Sequence, residues 1–95
     1  MLRPLKFTVP VDDGVHSIKL PKDAVVHGVM CQLGPDSVQF WAIVDSEKKP
    51  EHRAFAVIGT GHSVPEGFTV KNAFVAPGGL GLIWHLLELE AIVCA

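Results

Sequence analysis

Ser37-Val38-Gln39-Phe40-Trp41-Ala42-Ile43-Val44-Asp45 is the stretch on which the reading of the fold turns. Successive strand residues point to opposite faces. As a strand, this segment therefore puts Val38, Phe40, Ala42 and Val44 on one side, and Trp41 and Ile43 on the other. A strand with one wet face alternates apolar with polar residues. This one is apolar on both sides, which predicts a central position in its sheet. Gly34-Pro35-Asp36 marks a turn before it, and the charged loop from Ser46 to Glu51, with Glu47, Lys48, Lys49 and Pro50, closes it.

Working outward, prolines and glycines punctuate the chain at short intervals, as in all-β domains. Leu5, Phe7 and Val9 alternate with Lys6 and Thr8, the pattern of a half-buried strand. Asp12-Asp13-Gly14 has turn composition, because aspartate side chains bond to nearby backbone. His16, Ile18 and Leu20 then share one face of a second strand, and the two are expected to form a hairpin. After Pro21-Lys22-Asp23, a strand from Ala24 to Leu33 puts Val25, His27, Val29, Cys31 and Leu33 on one face. Beyond the charged loop come strands Arg53 to Ile58 and Phe68 to Val75, joined by the loop Gly59 to Gly67.

The last apolar segment, Leu80 to Glu90, fits two patterns. As a helix it aligns Leu82, Leu86, Leu89 and Val93, and its Leu, Glu and Ala favour helix. As a strand it sets Ile83, His85, Leu87 and Leu89 against Leu82, Trp84 and Leu86. We read a strand through about Leu89, with Glu90 to Ala95 as an edge strand or a fraying tail. The expected fold is all-β: one domain over residues 1–95, a small antiparallel sandwich or open barrel of about six or seven short strands.

Composition narrows the function. Net charge is −2 without a run of either sign, so nothing attracts a phosphate backbone and nucleic acid is not the expected partner. The opening Met1-Leu2-Arg3-Pro4 lacks the apolar segment of a signal peptide. Leu80 to Leu87 is too short to span a bilayer. Two cysteines, Cys31 and Cys94, then suggest free thiols in the cytoplasm. The hydrophobic content, 48%, is high for so short a chain and predicts a homo-oligomer, a two-fold dimer in the simplest case.

Ile58-Gly59-Thr60-Gly61-His62 carries the candidate site. Two glycines on either side of Thr60 fix an unusual backbone path, because only glycine enters positive φ without steric cost. A histidine just beyond them can act as a base or bind an anion beside open N–H groups. Thr60, Gly61, His62 and Ser63 are the candidate binding residues. The pattern is neither a phosphate-binding Gly-Lys-Ser/Thr loop nor a Gly-X-Ser-X-Gly elbow. Trp84 and His85 are adjacent on a strand and so are not expected to share a pocket. The cysteines and histidines show no metal-ligand spacing, and neither a metal nor a cofactor is expected. Asp12, Asp13 and Asp45 read as turn residues, and Phe7, Phe40, Trp41, Phe55, Phe68, Phe74 and Trp84, which could form an aromatic binding face, read mostly as core.

The chain resembles a family of small uncharacterised proteins encoded by bacteriophages and prophages. The resemblance rests on Lys6-Phe7-Thr8-Val9 with Asp12-Asp13-Gly14, then His16-Ser17-Ile18 with Leu20-Pro21. It continues in Trp41-Ala42-Ile43-Val44-Asp45, Ile58-Gly59-Thr60-Gly61-His62 and Gly79-Leu80 with Ile83-Trp84-His85-Leu86, and it ends before Ala91. It implies a compact β fold and a phage or prophage origin, and it carries over no catalytic residue. The expected function is a non-enzymatic accessory protein that binds a host protein or a small molecule inside the bacterial cell. The alternative is a virion or assembly component that self-associates through its sheets. A small hydrolase or nucleotide-binding enzyme using His62 is a third reading.

Overall fold

A computed structural model of the chain describes residues 1–12 and 14–89. Among these, every regular element is a strand: β1 (Leu2–Pro10), β2 (His16–Pro21), β3 (Val25–Met30), β4 (Ser37–Asp45), β5 (Pro50–Gly59), β6 (Phe68–Val75) and β7 (Ile83–Leu89). They form two antiparallel sheets, a three-stranded one in the order β1-β4-β3 and a four-stranded one in the order β2-β5-β7-β6. The sheets face each other as a sandwich and do not close into a barrel.

β4 is the middle strand of its sheet, as its two apolar faces require. Leu5, Phe7 and Val9 of β1 stand opposite Ala42, Phe40 and Val38. Phe7 stacks on Phe40 at 5.3 Å, and Phe40 meets Phe55 of the other sheet at 4.7 Å. Offset aromatic contacts of this kind add to the burial itself. Val9, Val38, Phe40, Ala42, Val44, Leu20, Phe55 and Leu86 belong to one buried apolar cluster.

The opposite face of β4 holds an exception to the apolar rule. Gln39 is fully buried there, because the chain after β3 folds over it. Its Oε1 accepts from the N–H groups of Gln32 (2.7 Å) and Leu33 (3.3 Å), and its amide donates to Ser37 Oγ at 3.0 Å. A buried amide is tolerable only when it is bonded in this way.

Four expectations need correction. The first two strands do not form a hairpin: β1 pairs with β4, while β2 pairs with β5 in the other sheet. A turn signal bends the chain without choosing a partner, and β4 offers β1 a fully apolar row that β2 cannot match. The face assigned to the third strand holds for only part of its length. A bulge between Val26 and Gly28 changes the phase, so Val26, Val29 and Cys31 pack inward while Val25 and His27 are exposed. The fifth strand begins at Pro50, inside the segment read as a charged loop. The final apolar segment is a strand from Ile83 to Leu89, not a helix, and it starts later than expected, with residues 80–82 outside it. Residues 90–95 lie outside the described residues, and so does the expectation of an edge strand there.

The four-stranded sheet buries an ion pair. Arg53 donates from Nε and Nη2 to the Glu88 carboxylate, the second bond being 2.7 Å, and from Nη1 to the carbonyl of Ala24, just before β3. The guanidinium also lies 5.8 Å from the centre of the Phe55 ring. The Glu88 side chain is only 8% exposed, so this two-pronged arrangement is what makes a carboxylate acceptable in the interior.

Candidate functional site

The end of β5 and the residues that follow it build one wall of a cleft. Gly59 still belongs to the strand, opposite Trp84 of β7. The chain then reverses: His62 N–H donates to the Gly59 carbonyl at 3.2 Å, and Gly61, third in the turn, has φ +90°. That combination is the signature of a type II turn, whose third position needs glycine. The unusual backbone path thus belongs to Gly61 alone. Gly59 is not required in the same way, because a Cβ there would make only ordinary contact with the His62 ring, at 3.7 Å. The turn lays the imidazole against the end of the strand.

Thr60 ties this turn to the next strand. Its N–H and its hydroxyl both donate to the Ile83 carbonyl, at 3.2 and 3.0 Å. His85 Nε2 stands 3.1 Å from the same hydroxyl oxygen. A hydroxyl has one proton, and a carbonyl can only accept. A hydroxyl that directs its proton at the Ile83 carbonyl accepts from His85, which pairs with the Nε2–H tautomer of that ring. Trp84 points the other way, into the sandwich, where it meets Phe74 edge-on at 6.1 Å. Trp84 and His85 therefore occupy opposite faces, as strand alternation requires.

The other wall comes from the connection between β1 and β2. Asp12 Oδ1 accepts the Gly14 N–H at 2.7 Å and His16 Nε2 at 2.8 Å. The His16 bond, followed by the Gly14 bond, holds the Asp12 carboxyl below the usual carboxylate range. The aspartate is thus a turn residue, as composition suggested, and a fixed negative charge as well. Asp13 lies outside the described residues.

Between these walls opens a cleft of about 480 Å³, lined by Val11, Asp12, Val57, Ile58, Gly59, Thr60, His62, Leu82, Ile83 and Trp84. This volume is in the range of small-molecule sites, and so is the pattern of an apolar floor with a few polar groups. Of the candidate residues, Thr60 and His62 line the cleft and Gly61 shapes it. Ser63 is exposed and lies outside the lining. Sequence reading did not include Asp12 or Trp84 in the site. Asp12 looked like an ordinary turn residue and Trp84 an ordinary core residue, and nothing in their spacing links them to Thr60.

The hydroxyls and imidazoles give little support for nucleophilic catalysis. Two such contacts exist among the described residues, Thr60 with His85 and Ser17 with His52 (3.2 Å). The second lies on the open face of the four-stranded sheet, outside the cleft, and the first has its hydroxyl proton directed to a carbonyl. Cys31 is half-buried, and burial pushes its thiol up, away from the reactive thiolate. Among the described residues, no helix is long and apolar enough to cross a membrane.

Comparison with family models matches residues 1–92 to the family described as Domain of unknown function (DUF7352). The chain belongs to that family, and the match reaches Ile92, beyond the motifs of the resemblance. No curated protein and no solved structure matches the chain.

Proposed function

We propose that this protein is a non-enzymatic accessory factor of a phage or prophage, acting in the bacterial cytoplasm, and that it holds a small molecule or a host-protein side chain in the cleft beside Thr60 and His62. The observation that carries this reading is the composition of the cleft. Val11, Val57, Ile58, Leu82, Ile83 and Trp84 supply the apolar floor, and Asp12, Thr60 and His62 stand along it. A fixed carboxylate and an imidazole over an apolar surface suit orientation of a ligand more than bond-making. Recognition on a turn held by a rigid sheet is also the common arrangement. The test is nuclear magnetic resonance of the labelled protein titrated with a fragment library. Binding should move the amide signals of Gly59, Thr60 and Trp84 while leaving those of Val38 and Phe40 in place. A library that shifts no residue of the cleft would remove the reading.

A second reading, self-association as a virion or assembly component, is favoured by one observation. The outer face of the β1-β4-β3 sheet presents Val25 (62% exposed) and Met30 (51%) beside the part-buried Trp41 and Ile43. Apolar residues gathered on one sheet face often mark a contact between subunits. Sedimentation at micromolar concentration distinguishes the two: a dimer or larger species supports assembly, and a single species at 10.2 kDa rejects it.

A further inference from the structure

We propose that the cleft selects a cation on an apolar body: an alkyl- or aryl-ammonium group, with Asp12 as its counter-charge and Trp84 as part of its wall. The inference rests on the cleft being a binding site and adds the charge of what it binds.

Three features converge on this class. The first is the charge inventory. Asp12 is the one carboxylate among the lining residues, and neither Lys nor Arg is among them. The second is how that carboxylate is held. Both of its bonds, from Gly14 N–H and His16 Nε2, go to Oδ1. An ionised carboxylate only accepts, so His16 carries a proton on Nε2. These donors keep Asp12 ionised and hold its Oδ1 in place. Oδ2 has no hydrogen-bond or ion-pair partner among the described residues and is left for a donor from the ligand. The Asp12 side chain is 54% exposed, so a ligand can reach it. The third feature is the wall. An indole attracts a cation through its ring quadrupole, and tryptophan does so best among aromatic side chains. The His62 ring bonds to no other described side chain and can accept a further ammonium proton.

An anionic ligand meets the opposite situation. It would bring a second negative charge beside Asp12, over a lining that holds neither Lys nor Arg to offset it. An uncharged apolar ligand would fill the floor and leave Oδ2 in water.

The experiment compares three probes of similar size, 2-phenylethylamine, 2-phenylethanol and 3-phenylpropionate, by titration against the labelled protein. N-acetyl-lysine methylamide stands for a protein side chain as the source of the same ammonium. The amine should bind about tenfold more tightly than the alcohol, as expected for a hydrogen bond to a charged group in place of a neutral one. The propionate should bind weakest. Asp12→Asn keeps an oxygen for the Gly14 N–H and removes the charge, so it should erase the preference for the amine without unfolding the protein. Asp23→Asn, at a carboxylate paired with Lys48 away from the cleft, should leave that preference intact. Tighter binding of the lysine model than of 2-phenylethylamine assigns the ammonium to a protein partner, and the reverse assigns it to a small molecule. Equal binding of all three phenyl probes in the cleft, or a preference for the amine that survives Asp12→Asn, overturns cation selection while the cleft stands as a binding site. Absence of any shift in the cleft overturns both.

Discussion

The centre of the sandwich and its cleft end use the same residue types for opposite purposes. At the centre, Phe40 and Phe55 exclude water, and the charged pair Arg53–Glu88 is enclosed with its bonds made inside the protein. At the cleft, Trp84 lies partly open, and Asp12 forms a bonded pair with His16 while keeping one oxygen toward solvent. The difference lies in how completely each polar group is satisfied. Full satisfaction and burial give stability; partial satisfaction at an exposed rim gives a place for a ligand. Substitutions at the centre should therefore cost stability, and substitutions at the cleft should cost binding.

The largest effect should come from Phe40→Ala. Removing a fully buried phenylalanine costs roughly 3–5 kcal/mol, against a domain stability of roughly 5–15 kcal/mol. Urea unfolding that showed a loss below about 1 kcal/mol would break the central half of the comparison. Next comes Glu88→Ala, which takes away the carboxylate that two Arg53 nitrogens donate to. We expect a loss of about 3 kcal/mol, the lower end of what breaking a buried pair costs. The double variant Arg53→Met/Glu88→Leu should recover most of it, because apolar residues of similar volume remove the buried charges together. A double variant no more stable than Glu88→Ala would mean that the pair itself stabilises the fold.

At the cleft, Gly61→Ala should cost about 1–2 kcal/mol, since φ +90° is strained for a residue with a Cβ. A neutral or stabilising result would mean that the turn relaxes without glycine. His62→Ala sharpens the comparison further. Its stability should change by less than about 0.5 kcal/mol, as for other exposed positions, while binding in the cleft falls. An unfolded variant would move His62 from the recognition half to the structural half.

The smallest effect concerns acid. Bonds from His16 and Gly14 lower the Asp12 pKa in the folded protein. Its contribution to stability is therefore fully present above the unfolded value of about 3.9 and is lost as pH falls through the lower folded value. Melting temperatures of the parent and of Asp12→Asn should differ slightly at pH 6 and converge toward pH 2. A gap that widened in acid would reverse the sign of that contribution.

How much was legible follows from how local each signal is. Alternation over Ser37–Asp45 put Val38, Phe40, Ala42 and Val44 on the buried face, because a strand's period is imposed by its own backbone. Gly61 in its turn was equally local. The pairing of β1 with β4, the bulge at His27 and the meeting of Arg53 with Glu88 were not legible in this way. Each depends on which surfaces meet after the chain has crossed between sheets, and Arg53 and Glu88 are 35 residues apart.

The sequence by itself thus determined that this chain is built from strands, where its central strand lies, which side of that strand is buried, and that a glycine turn projects His62. Those properties depend on period-two alternation and on the φ that a residue type permits. Only the tertiary structure decided that Asp12 and Trp84 stand with Thr60 and His62 around one cleft. The reason is physical: one wall comes from the connection between β1 and β2, the other from the end of β5 and the turn after it, beside Trp84 of β7, and only the pairing of β5 with β2 and with β7 brings those distant segments together.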